Sequence, residues 1–262
     1  KREIVATQIA NDMVNNMGIS FAQRLIESTG ASVGDVAKAY IAARDVYQME
    51  QFILDLQALD HQLPAKIQYE LMINMMRRVR RATRWFLRNR RSNIDPAVEV
   101  DFFAPAVANI SAQLPVLLLG GQLEELQGQY QRLQESGVPQ DLIVRASSAS
   151  YLFSGFSVAE AARRSGRDIV AVTQLYFLLS DTLSLPWFAN QIASLKVETF
   201  WQAMARESYM DDLESQLRSL TISLIESTNE STNIADLLDS WSSQQSILIN
   251  RWKLMVNELQ AA

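Results

Sequence analysis

Residues 77–91 read RRVRRATRWFLRNRR, eight arginines in fifteen positions with no acid among them. On a helix advancing about 100° per residue, Arg80, Arg81, Arg84, Arg88 and Arg91 fall within about 60° of Arg77. Met75, Val79, Ala82 and Phe86 fall on the opposite side, and Arg78 and Arg90 lie off the arginine stripe. The segment therefore reads as an amphipathic helix with one dry face and one guanidinium face. The dry face requires other helices to pack against. The guanidinium face must meet solvent, acids or an anion.

The rest of the chain supplies helices of that kind. Pro64 suits the first turn of the arginine helix, which is expected to run to about Asn89. Upstream, Val5, Ile9, Met13 and Met17 form an i+4 apolar stripe ended by Gly18. Thr7, Asn11 and Asn15 share a polar face of that helix, suited either to hydrogen-bonding a neighbour or to lying wet. Ser20 caps a short helix ending near Gly30. Ser32-Val33-Gly34-Asp35 reads as a capping box, and the apolar pattern behind it continues through Tyr40, Tyr47, Phe52 and Leu56 to about Leu59.

Residues 92–122 are the least regular. Pro96, Pro105, Pro115 and Gly120-Gly121 mark them as an irregular connection between an N-terminal half, 1–91, and a C-terminal half, 123–262, which form either one compact domain or two bundles. In the second half, Leu123, Leu126, Tyr130 and Leu133 mark a helix stopped by Gly137. Ser157-Val158-Ala159-Glu160 reads as another capping box. Leu213, Leu217, Leu220 and Leu224 describe a helix, and residues 226–233 a polar loop. Trp241, Gln245, Leu248, Trp252, Met255 and Leu259 stand at heptad a/d spacing in a last helix. SVGDVAK at 32–38 is echoed by SVAEAAR at 157–163, from an old duplication or simply from two similar helix starts. No paired alternating strands appear, so the expected fold is all-α, a multi-helix bundle.

Composition narrows the function classes. The 262 residues include no cysteine, which excludes disulfides, thiol nucleophiles and thiolate metal sites and suits a reducing compartment. Apolar runs such as Leu114–Leu119 are too short to span a bilayer, and no signal-peptide pattern follows Lys1. The chain is expected to be a cytoplasmic piece of something longer.

Three readings compete for the arginine face. A nucleic acid would suit the charge, with Trp85 or Phe86 stacking on bases. However, the other 247 residues carry 16 basic and 29 acidic side chains, a field that repels a polyanion. The second reading is a specific anion site. The third is pairing with acids in this domain, a neighbouring domain or another subunit, and it is favoured. Arginine outnumbers lysine 19 to 5, and its planar fork suits carboxylates.

Catalytic chemistry is hard to place. His61 is the single histidine and cannot build a multi-histidine metal site. No dinucleotide fingerprint or phosphate loop occurs. The adjacent carboxylates Asp211-Asp212 and Glu124-Glu125 diverge on a helix. No catalytic, cofactor-binding or metal-ligating residue is assigned. The candidate contact residues are Arg77, Arg80, Arg81, Arg84, Arg88 and Arg91, with Thr7, Asn11 and Asn15.

Several stretches resemble one family in order. KREIVATQIANDMVNNMGISF at 1–21, GASVGDVAKAYIAARDVY at 30–47, RRATRWFLRNRR at 80–91, YFLLSDTLSLPWF at 176–188 and WQAMARESYMDDL at 201–213 resemble the carboxy-terminal helical region of the large bacterial NAD-specific glutamate dehydrogenases. The resemblance implies a much longer parent that oxidises L-glutamate to 2-oxoglutarate and ammonia with NAD. It places the cofactor in upstream domains and none in this fragment, and it implies a homo-oligomer. It implies that this region braces the catalytic domain, meets another subunit or limits cleft opening. The alternative is a stand-alone helical interaction or nucleic-acid-binding module.

Overall fold

The computed structural model describes residues 2–90, 93–118, 120–147, 152–227 and 233–261. Among these residues there are fourteen helices and no strand. The chain divides into two compact units, one of residues 1–116 with 120–156, the other of 117–119 with 157–262.

The first unit starts with α1 (Arg2–Met17), α2 (Phe21–Thr29) and α3 (Val33–Val46). Gly18 and Gly30 stop α1 and α2 with φ of +90° and +70°, a region where a side chain would be strained. Ser32 caps α3 by accepting from the Asp35 amide at 3.1 Å. The apolar pattern expected to run unbroken to Leu59 divides at Gln48, where φ of +50° separates α3 from α4 (Met49–Gln57). The bend turns Phe52 and Leu56 inward, both fully buried. The arginine helix is α5 (Ala65–Arg90), against which α3 packs. Ala39, Ala42 and Ala43 are fully buried on α3 and let the two helices approach closely.

Residues 92–122 differ from expectation. Most of them form α6 (Pro96–Leu117), a 22-residue helix, and α7 (Gly120–Glu135) follows at once. Pro96 supplies a preset φ at the first turn. Pro105 and Pro115 lie inside the helix with their rings at its exposed side. Phe103, Val107, Ile110 and Leu114 repeat at four, three and four residues and are all buried, and that stripe outweighs two lost backbone hydrogen bonds. By length and composition α6 could cross a membrane, which no apolar run in the sequence suggested, but this stripe is packed in the interior as in a core helix. The unit is completed by α8 (Gln140–Ser147) and the first residues of α9 (Leu152–Ser165). Its centre is a group of four rings from three helices. Phe103 lies 4.8 Å from Phe156, 5.3 Å from Trp85 and 5.5 Å from Phe86, centre to centre.

The second unit is arranged around α10 (Ile169–Thr182), capped by Asp168, which accepts from the Val170 and Ala171 amides. Val172, Leu175, Tyr176 and Leu179 are buried against α11 (Leu185–Ser194), α12 (Phe200–Glu226) and α13 (Ile234–Gln244). Thr199 and Gln202 close a reciprocal capping box at the start of α12. α14 (Ser246–Ala261) ends the chain.

The second half also departs from expectation at two places. Ser157 and Glu160 are not a helix start but lie inside α9, both buried. Ser157 donates to Glu214 at 2.6 Å, and Glu160 accepts from Arg163 and Arg164. The echo of 32–38 in 157–163 therefore joins a helix cap to a helix interior, against a duplicated structural unit. The heptad stripe from Trp241 to Leu259 is interrupted at Gln245, and Leu248, Met255 and Leu259 are exposed. Burial falls one residue on, at Ile249 and Val256, about 100° round the helix. The polar loop expected at 226–233 lies mostly outside the described residues.

Candidate functional site

The arginine helix is amphipathic as expected, but its guanidiniums are sorted differently. Arg77, Arg80, Arg81 and Arg88 are exposed, whereas Arg84 is buried and donates to the Ser28 hydroxyl on α2 at 3.0 Å. Arg91 lies outside the described residues. The two arginines set off the stripe are both drawn inside. Arg90 pairs with Glu99 of α6 at 2.9 Å, the two side chains 12% and 10% exposed, and covers the faces of Trp85 and Phe103.

Arg78 is the most unusual of them, being 5% exposed. It donates to the Arg145 and Ala146 carbonyls, at 2.6 and 3.1 Å, and lies over the Tyr47 ring. These carbonyls belong to the last turn of α8, whose acceptors have no partner within their own helix. A cation at a helix C-terminus is also favoured by the backbone dipoles. Arg78 thus caps α8 from α5. Burial, helped by the neighbouring Arg145 guanidinium and opposed by Tyr47, pushes its pKa down to about 10. It remains charged at neutral pH. Its Nε is buried without a hydrogen-bond partner, as is Nη2 of Arg145. Arg145 pairs with Asp55 of α4 at 2.5 Å and lies over Phe52.

Beside Arg78 a cleft of about 260 Å³ opens between α5, α7 and α8. Its charged lining is Arg77, Arg78 and Arg81 from α5, Arg132 from α7 and Glu70. Arg132 grips Glu70 with both terminal nitrogens, one of them at 2.9 Å. The amides of Asn74 and Gln129 add neutral donors to the same cleft.

The polar face of α1 is divided in a similar way. Thr7, Asn11 and Asn15 are exposed, and Thr7 donates to the Glu3 carbonyl of its own helix at 2.9 Å. Asp12 and Asn16, one position on, carry the tether. Asp12 accepts from the Tyr40 hydroxyl at 2.9 Å, from Arg44 at 3.0 Å and from Asn16 at 2.7 Å. Burial and the Asp12 hydrogen bond raise the Tyr40 phenol pKa. The wheel could have singled out Asp12 and Asn16, since they flank the Met13–Met17 seam on which α1 is buried.

His61 is exposed in the turn before α5, with φ of +63°. Among the described residues no group of three His, Asp or Glu side chains gathers as a metal site would need.

The whole chain, residues 1–262, matches the family model for the C-terminal region of glutamate dehydrogenase. The chain belongs to that family. It is 43% identical over 262 residues to the NAD-specific glutamate dehydrogenase of Pseudomonas aeruginosa and 35% identical over 259 residues to that of Halomonas elongata. Identity to the Mycobacterium tuberculosis NAD-specific glutamate dehydrogenase is 24% over 262 residues. All or nearly all of this chain is aligned in each case, yet it spans only 16% of each relative. The resemblance read from the sequence is thereby established at the level of the family. In this glutamate dehydrogenase C-terminal domain, Arg78, Arg84, Arg90 and Arg145 fasten helices to one another.

Proposed function

We propose that this domain is a non-catalytic, architectural part of an NAD-dependent glutamate dehydrogenase. The parent reaction would convert L-glutamate, NAD and water to 2-oxoglutarate, ammonia and NADH. NAD would be held by upstream domains of the same chain, and the assembly would be a cytoplasmic homo-oligomer with no membrane partner. The observation that carries this reading is the end-to-end match to a small C-terminal share of NAD-specific glutamate dehydrogenases. Interior arginines engaged in joining helices support it.

The exposed Arg80 would then meet a carboxylate on the rest of the parent chain or on another subunit, as the planar guanidinium favours. The test is Arg80→Gln in the full-length enzyme. Sedimentation velocity and thermal melting should register weaker assembly or a lower Tm, with the KM for NAD and for glutamate unchanged. Intact assembly with a large rise in the KM for NAD would refute the architectural reading.

A further inference from the structure

We propose that the cleft between α5, α7 and α8 is a binding site for a compact phosphate-type anion. Four guanidiniums line it against one carboxylate, a net of +3. That carboxylate, Glu70, is already gripped by Arg132. Arg78 brings an independent sign of incompleteness. Among the described residues it is a buried cation with no ion pair, and its Nε has no acceptor. A buried charge without a counterion is costly, and a buried donor without an acceptor adds to the cost. An anion in the adjoining cleft would offset the charge at close range.

The chemistry selects the ligand class. A single carboxylate carries one negative charge and two oxygens in one plane. A phosphate carries about −1.5 to −2 at neutral pH and three strong acceptor oxygens pointing in different directions. The donors approach from different sides. Arg77 and Arg81 stand one turn apart on α5, and Arg132 and Gln129 line the cleft from α7. A cleft of about 260 Å³ is smaller than the roughly 300–1,000 Å³ typical of pockets for drug-sized ligands, which favours orthophosphate or pyrophosphate over a nucleotide. The inference does not rest on the architectural reading.

The test is hydrogen–deuterium exchange on the full-length enzyme, with NADH saturating, in orthophosphate or pyrophosphate against chloride at equal ionic strength. Peptides covering 126–147 should exchange more slowly. At an anion concentration about ten times its dissociation constant, the slowing should be about elevenfold where opening destroys the site. Arg77→Glu, which takes the cleft from +3 to +1, should weaken binding by at least about tenfold, as expected for two unit charges moved at close range. Glu70→Gln should strengthen it, and a thermal melt checks that each variant is folded. Equal protection in chloride, no protection by either phosphate, or protection unchanged in Arg77→Glu would overturn the proposal. No protection is also the result expected if an acidic side chain of the upstream domains already fills the cleft.

Discussion

Replacing Phe103 by alanine tests whether the proline-bearing stretch after the arginine helix is a core helix. Phe103 is fully buried, and the rings of Trp85, Phe86 and Phe156 lie 4.8–5.5 Å from it. Its truncation removes most of the roughly 150–250 Å² that a phenylalanine buries, worth about 25 cal/mol per Å². The rings around the gap come from α5, α6 and α9 and cannot all close on it, so a cavity cost is added. The expected loss is about 4 kcal/mol, within the ~3–5 kcal/mol range of such truncations. With a urea m-value of about 2 kcal/mol/M, the unfolding midpoint should fall by about 2 M. The neighbouring Phe102 is only half buried, and Phe102→Ala should cost no more than about half as much. Urea titrations followed by circular dichroism would compare the two. A midpoint shift below about 0.5 M for Phe103→Ala, or equal shifts for both variants, would refute the helical register of α6.

In the isolated domain, Arg84→Gln, which breaks the part-buried tie to Ser28, should lower stability by about 1–3 kcal/mol, whereas Arg80→Gln, whose proposed partner lies outside the domain, should stay within about 0.5 kcal/mol by the same titration. Hydrogen bonds from Arg145 and Gln51 hold the Asp55 carboxyl below its ordinary pKa. Its contribution is therefore complete above about pH 4 and is lost as the pH falls through the lowered folded value. The Tm deficit of Asp55→Asn against the unchanged protein should accordingly stay constant from about pH 6 to pH 4 and shrink as the pH falls further in a melting series. Thr199→Ala should cost about 1 kcal/mol by removing the α12 cap, and a variant as stable as the parent would show that the box contributes nothing.

How far the sequence could be read depended on whether a local signal had one structural meaning. Gly18, Gly30 and Pro64 mark helix ends through backbone geometry alone, and α1, α2 and α5 end or begin beside them. Residues such as Ser157 and Glu160 have two meanings, because a serine three residues before an acid looks the same at a cap and inside a buried helix. Thr199 and Gln202 have the cap pattern and do form the box. In α6 the prolines concealed a sound apolar stripe. In α14 apolar residues cover so much of the surface that spacing alone cannot choose the buried side. The arginine wheel found the amphipathic helix but not which guanidiniums turn inward, because Arg78 and Arg84 are held by Arg145, Ala146 and Ser28, all remote in sequence.

The cap that Arg78 places on α8 has a consequence for the order of synthesis. The Arg145 carbonyl it holds lies 67 residues further along the chain. When α5 leaves the ribosome, its capping arginine has nothing to hold, and the interior around it cannot close until α8 arrives. A nascent chain halted between α5 and α8 would therefore present an open, cationic flank to whatever attends it. Completion of α8 would be the event that closes it.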